Sequence, residues 1–158
     1  MEKELPVDLA ALRQKNFKLV ELGRYIIGSS YPSKVLLSFR FITFVYEYCV
    51  KNACDFIVCQ TLLERSEMYE KLGFVPFCDG ATFMDKEFDL PCAPMYLDVR
   101  EKIQHYKEFQ EHGFIYKMKN VTKEEREAFL SSSPPLLSEV GSLFKKCLKK
   151  QGLRTKIK

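Results

Sequence analysis

Between Phe17 and Phe74 the sequence reads as strand, polar turn, helix, strand and helix, an order that few arrangements can satisfy. Phe17 to Ile27 carries apolar residues on both faces, which predicts a central strand. Gly28, Ser29, Ser30 and Pro32 break it, and a helix is expected from about Ser33 to Asn52. Asp55 to Thr61 returns as a β-rich run. A strand, a crossover helix and a second strand in this order form a right-handed βαβ unit with two parallel strands. Arg65 to Leu72 reads as a second helix stopped by Gly73, with a strand from Phe74 to Cys78 beyond it.

The flanking sequence is less regular. Leu9 to Lys15 reads as a short helix or turn. After the Asp79-Gly80 turn pair, Ala81 to Met84 and Met95 to Val99 are expected to close a β-hairpin around a long, proline-bracketed loop. Glu101 to Glu111 predicts a helix stopped near Gly113, and Phe114 to Met118 alternates weakly as a strand. Thr122 and Glu125 have the spacing of a capping box. Ser131 to Pro135 reads as a linker. Beyond it Leu136, Leu137, Val140, Leu143, Phe144, Cys147 and Leu148 recur at helical spacing, with Lys145, Lys146, Lys149 and Lys150 turned elsewhere. That pattern predicts an amphipathic basic helix, whose apolar stripe would cover the sheet.

Composition limits the classes available. A chain of 158 residues, 46% hydrophobic and 13% aromatic, has the material for about one packed domain. The longest apolar run, Val35 to Val50, is interrupted by Arg40 and Glu47 and falls short of the roughly 20 residues a membrane span needs, so it is expected to be a buried helix. Met1 to Asp8 has no charged-then-apolar leader pattern, and the expectation is a cytoplasmic protein. In that setting Cys49, Cys54, Cys59, Cys78, Cys92 and Cys147 read as reduced, mostly buried thiols. None has the C-x-x-C spacing and His105 and His112 lie far from them, so no metal site is assigned. The net charge of +4 is concentrated in Lys117 to Lys123 and after residue 140. Without an aromatic platform at matching spacing, these lysines give no case for nucleic acid.

The chemistry-bearing positions lie in the opening stretch. The Gly28 to Lys34 turn, with Ser33 and Lys34 entering a helix, could present free N–H groups and a helix dipole to a pyrophosphate, or be an ordinary connection capped by Ser33. Tyr69, just before the Leu-Gly-Phe helix end, could protonate a leaving thiolate at a cleft between the parallel strands, or simply pack. Glu21 sits mid-strand in an apolar context, where a carboxylate needs a partner or a raised pKa. Strict alternation puts Glu21 and Arg24 on opposite faces. A bulge at Gly23 would bring them together, as a catalytic pair or a structural ion pair.

Together, Val20-Glu21-Leu22-Gly23-Arg24-Tyr25-Ile26-Ile27, the turn, the crossover helix and Met68-Tyr69-Glu70-Lys71-Leu72-Gly73-Phe74 resemble the GCN5-related N-acetyltransferase (GNAT) superfamily. Glu21-Leu22-Gly23-Arg24 is similar to the Glu-x-Ser-Arg strand of the acyl-homoserine-lactone synthases and N-acyl amino acid synthases, with Gly23 in the serine's place. Leu5-Pro6-Val7-Asp8 and Pro94-Met95-Tyr96-Leu97-Asp98 resemble the same branch, so the likeness runs over about residues 5 to 100.

The resemblance implies an α+β fold with a mixed sheet and a βαβ crossover. It corresponds to the second half of the family fold over residues 1–121, followed by a helical extension over 122–158. It also implies an acyl-CoA or acyl carrier protein donor lying where two parallel strands splay, attacked directly by an amine acceptor. By position, Leu22, Gly23, Arg24 and Tyr25 would present backbone groups to the thioester and pantetheine. Gly28, Ser29, Ser30, Ser33 and Lys34 would meet phosphate, although Tyr31 to Leu36 lacks the glycines of the family's pyrophosphate loop. Tyr69 would be the general acid, and Glu21 the base or an organiser of the acceptor. The family's earlier strands have no counterpart in the 16 or so residues before Phe17, so a partner chain or homo-oligomer is expected. The basic C-terminal helix would suit an acidic carrier protein or an anionic membrane surface. The competing expectation is a GNAT-derived module that binds without turnover.

Overall fold

In a computed structural model, the structure describes residues 14, 16–23, 34–80, 82–85, 89–111, 118 and 120–132. Its first strand, β1, is Leu19–Leu22, and the helix α1 is Lys34–Lys51, within a residue of the expected span at each end. This helix is not buried all round. Ser38, Ile42, Val45 and Cys49, spaced three and four apart, enter the core, while Arg40, Phe44, Tyr48 and Lys51 form the exposed stripe. No helix among the described residues is long and apolar enough to cross a membrane.

The helix ends in a left-handed turn. Ala53 has φ 52°, and the Cys54 N–H reaches the Cys49 carbonyl at 2.9 Å while the Ala53 N–H reaches that of Val50 at 3.3 Å. These two bonds satisfy carbonyls the helix leaves open, at a position where glycine is the relaxed residue. The chain then enters β2, Phe56–Leu62, which lies parallel to β1 with Leu19 opposite Phe56 and Leu22 opposite Cys59.

A single 3-10 turn, Leu63–Arg65, leads into the short helix α2, Ser66–Lys71. Gly73, at φ 93°, stops it as expected: the Gly73 N–H bonds the Glu70 carbonyl at 2.8 Å and the Phe74 N–H that of Tyr69 at 3.0 Å. A Cβ at Gly73 would also stand 2.7 Å from Lys102 Cε. The strand expected over Phe74 to Cys78 shrinks to the two residues of β3, Val75–Pro76, before a 3-10 turn over Phe77–Gly80. Pro76 has no N–H for a ladder, and β3 is accordingly a sheet edge.

β4, Phe83–Asp85, and β5, Leu90–Asp98, form the hairpin, but β5 begins five residues earlier than the sequence pattern implies. Pro91 and Pro94 lie inside the strand rather than bracketing a loop. Pro94 falls in a gap: on that side of β5, β3 pairs with Met95 and Tyr96 and β4 with Leu90 to Cys92, so no strand there needs the missing N–H. On its other side β5 runs antiparallel to the whole of β2.

The sheet order is therefore β1-β2-β5-β3, with β4 also on β5. Among the described residues β1 is an edge strand, not the central one expected. Its residues are half-buried or exposed, whereas Phe56, Ile57, Val58 and Cys59 of β2 are all buried.

α3, Val99–Glu111, starts two residues early because Asp98 caps it, accepting the Glu101 N–H at 3.0 Å. α4, Lys123–Ser131, has the expected capping box: Thr122 Oγ1 accepts the Glu125 N–H at 3.1 Å and Glu125 Oε2 the Thr122 N–H at 2.7 Å. Phe129 of α4 belongs to the same core as α1, β2, β5 and α3. Glu47, buried in α1, binds both the backbone and side-chain amides of Asn120 at 3.1 and 2.8 Å, tying the approach to α4 onto α1.

Just before β2, the Asp55 carboxylate accepts the Lys18 N–H at 2.9 Å and the Arg100 guanidinium at 3.1 and 3.2 Å. Arg100 also lies 4.4 Å over the Phe129 ring and donates to the Phe129 and Ser132 carbonyls. Arg100 and Asp55 together join the entries to β1 and β2 to α3 and α4. The elements expected over Leu9 to Lys15, over Phe114 to Met118 and from Pro135 onward lie outside the described residues, except for Gln14 and Met118.

Candidate functional site

The parallel ladder between β1 and β2 stops at Leu22 and Cys59, while β2 continues through Gln60, Thr61 and Leu62. On its β1 side, this end of β2 has no strand partner among the described residues. Because α1 ends beside the start of β2 and runs back against both strands, its first turn lies at this same end of the pair. No acidic residue occupies that first turn, so no carboxylate of α1 itself offsets the positive end of the helix dipole there.

Register assigns the side chains to faces. Val20 and Leu22 pack on the core cluster with Ile57, Cys59, Met95 and Leu97 under α1, α3 and α4. Glu21, Val58, Gln60, Cys92 and Pro94 therefore point to the opposite face. Glu21 is exposed there, rather than enclosed by apolar groups as its sequence context implied. Gly23 lies beyond the ladder, and a Cβ added to it would meet only Glu21 Oε1, at 3.8 Å.

Tyr69 projects from α2 onto the core cluster, half-buried, with its ring 5.5 Å from that of Phe74 at 77°. Its position is fixed by the Gly73 helix stop, whose turn bonds the Tyr69 carbonyl. Glu21 and Tyr69 thus lie on different sides of the sheet, near the same end of β2. Of the other positions singled out, Leu22 is half-buried on the core side, and Lys34 opens α1 through its backbone. Arg24, Tyr25, Gly28, Ser29, Ser30 and Ser33 lie outside the described residues.

The thiols near the site are held protonated. Burial pushes Cys59 up to about 12 and Cys49 to about 12, with Cys54 adding to the latter. Burial also raises Cys54 and Cys92. A neutral thiol is a poor nucleophile, so none of these four is prepared to carry an acyl group. They are free and buried, as expected for reduced cysteines. No group of three His, Cys, Asp or Glu side chains able to hold a metal occurs among the described residues.

One polar cluster escaped the sequence reading. Gln60 Nε2 donates to Asp85 Oδ2 at 2.5 Å, across β5, and Asp85 is buried at 7% exposure. The amide also bonds the Cys92 thiol, partly offsetting the effect of burial there. The available signal is a single amide, next to Thr61, in the mainly apolar strand Phe56-Ile57-Val58-Cys59-Gln60-Thr61-Leu62. Asp85, 25 residues away, could not be matched to it by pattern.

No protein-family model and no curated protein sequence matches the chain. Among solved structures it is similar to FeeM, an N-acyl amino acid synthase from uncultured soil microbes, with a TM-score of 0.53 and 20% identity. The match covers 61% of this chain and 53% of FeeM, so the chain spans about half of that protein's length. Over those residues the two share a fold: a mixed sheet with a parallel crossover pair and helices packed against it.

Proposed function

We propose that this chain carries the donor-side half of a GNAT-type N-acyltransferase, which moves an acyl group from acyl-CoA or acyl carrier protein to an amine. The observation that carries the reading is the parallel β1–β2 pair whose ladder ends at Leu22 and Cys59 beside the α1 N-terminus, in a fold shared with an N-acyl amino acid synthase. An extended pantetheine can take the place of a third strand at such a divergence, bonding backbone groups of Leu22, Gly23, Arg24 and Tyr25 on one side and of β2 on the other. The phosphates would then lie against Gly28, Ser29, Ser30, Ser33 and Lys34.

The amine nitrogen attacks the thioester carbonyl, the C–S bond breaks, and the departing thiolate takes the Tyr69 phenol proton. Glu21, or water ordered by it, accepts the proton lost by the amine. The raised thiol pKa values support direct transfer over an acyl-enzyme on Cys49, Cys54, Cys59 or Cys92. The test is release of free CoA from dodecanoyl-CoA in the presence of mixed amino acids, with the N-acyl product identified by mass. Amine-dependent release supports the reading, and its absence with both CoA and carrier-protein donors removes it.

Among the described residues the outer edge of β1 has no strand partner, and such an edge recruits strands. The proposal includes a partner chain or a second copy there, and a peripheral role for the basic residues after 140 at an acidic carrier protein or membrane surface. Light scattering after size exclusion should give a mass above the 18.5 kDa monomer, and a clean monomer at high concentration would count against the companion. A second reading, a module that binds an acyl ligand without turnover, draws on Glu21 and Tyr69 lying on opposite faces of the sheet.

A further inference from the structure

We infer that Cys49 and Cys54 are a redox couple that closes to a disulfide on meeting a low-molecular-weight disulfide of the glutathione type. The two cysteines, with four residues between them, flank the end of α1. The bonds from the Cys54 N–H to the Cys49 carbonyl and from the Ala53 N–H to the Val50 carbonyl make this end a Schellman turn, with Ala53 as its left-handed residue. Such a turn brings together the side chains three positions before the cap and two after it, and here both are thiols. They hydrogen-bond one another in the core, at 0% and 6% exposure. Two apolar side chains would serve the helix end alone; two thiols in contact can also be joined.

The turn sets their reach. With the Cys54 nitrogen 2.9 Å from the Cys49 oxygen, standard backbone dimensions cap the Cα–Cα separation at about 6.8 Å, within the span a disulfide tolerates. Side-chain rotation then takes the sulfurs from hydrogen-bond contact to a bond. Cys54 is the thiol that reacts first. It is the less buried, and its Sγ lies 3.8 Å from the Asn52 carbonyl oxygen, which also takes the Lys18 ammonium at 3.5 Å. Burial is the largest influence on Cys54 and disfavours its thiolate, the Lys18 cation favours it, and Asp55 opposes it. The exchange therefore runs through brief opening of the last turn of α1. Cys54 then loses its proton to water and attacks one sulfur of the small disulfide, and the departing thiolate takes up a proton. Cys49, deprotonated in turn, attacks the Cys54 sulfur and releases the second small thiol. Two protein thiols are oxidised, one small disulfide is reduced to two thiols, and no other oxidant enters. The product pins the end of α1 to the entry of β2, closing the opening through which it formed.

The full chain, reduced and then freed of reductant, is incubated with oxidised glutathione in native buffer and followed by intact mass. The expected product is lighter by about 2 Da and carries no glutathione. Trypsin cuts after Lys51, between the two cysteines, so residues 41–51 and 52–65 should remain joined, with fragmentation placing the bond on Cys54 and not on Cys59. In Cys49→Ala no second thiol completes the exchange, and Cys54 should keep one glutathione. In Cys54→Ala the adduct on Cys49 should form at least about 10-fold more slowly. Equal rates in the two variants overturn the order of attack. A wild type whose Cys49 and Cys54 stay reduced, or become linked only in urea that unfolds the chain, overturns the couple. So does a lasting glutathione adduct on Cys54 in the wild type, or a bond from Cys49 to Cys59. Should an alanine variant fail to fold, the wild-type peptide map decides alone.

Discussion

Arg100→Met is expected to lower unfolding free energy by about 3–5 kcal/mol, the usual consequence of removing one partner of a buried ion pair. The Arg100 and Asp55 side chains are only 13% and 11% exposed. Without the guanidinium, Asp55 keeps only the Lys18 N–H among its described side-chain partners, the Ser132 carbonyl loses the Arg100 donor, and the Phe129 carbonyl keeps only the Ser132 hydroxyl. The double variant Arg100→Met with Asp55→Asn should regain part of the loss, since the stranded charge is gone. Urea denaturation of the three proteins measures this. A loss below about 1 kcal/mol in the single variant would class the pair with weak surface bridges instead.

Tyr69→Phe is expected to reduce kcat about 10²- to 10⁴-fold under conditions where chemistry limits the rate, the range of a general acid. The ring's packing against Phe74 and the core is retained by phenylalanine, so unfolding free energy should move by less than about 1 kcal/mol. Donor binding, followed by quenching with dodecanoyl-CoA, should be preserved. An undiminished kcat in the variant would remove Tyr69 from the chemistry and favour a base-only or water-mediated proton path. A donor-binding wild type with no turnover at all would favour the non-catalytic module.

Local signals carried most of the element order. The α1 span, the Gly73 stop and the Thr122–Glu125 box depend on neighbouring residues, and each stands within a residue or two of expectation. What went astray depended on partners far along the chain. Pro94 reads as a loop residue because the gap between β3 and β4 that accommodates it exists only once three strands have assembled, and Pro91 because its place opposite Met84 depends on β4. Phe17 to Ile27 read as central because its apolar residues say nothing about which edge will be occupied. Glu21, Gly23 and Tyr69 stand out as candidates in the sequence, but the placement of Glu21 and Tyr69 on opposite faces follows only from the strand register and the core contacts. Gln60 is hidden from a pattern reading because Thr61 breaks the apolar run as well, and nothing local tells which of the two has a partner 25 residues away.

β5 has a consequence for how the protein is made. It is the partner of β2, β3 and β4, and among the described residues neither β3 nor β4 pairs with any strand except β5. On a growing chain, β1, α1 and β2 can assemble as soon as Leu62 has emerged, but residues 75–85 have no sheet to join until Asp98 follows. The Gln60–Asp85 bond belongs to this late stage, because Asp85 is held opposite Leu90. The nascent crossover unit therefore waits with the β5-facing edge of β2 open, and the arrival of a single nine-residue strand closes that edge and places Asp85 beneath the amide together.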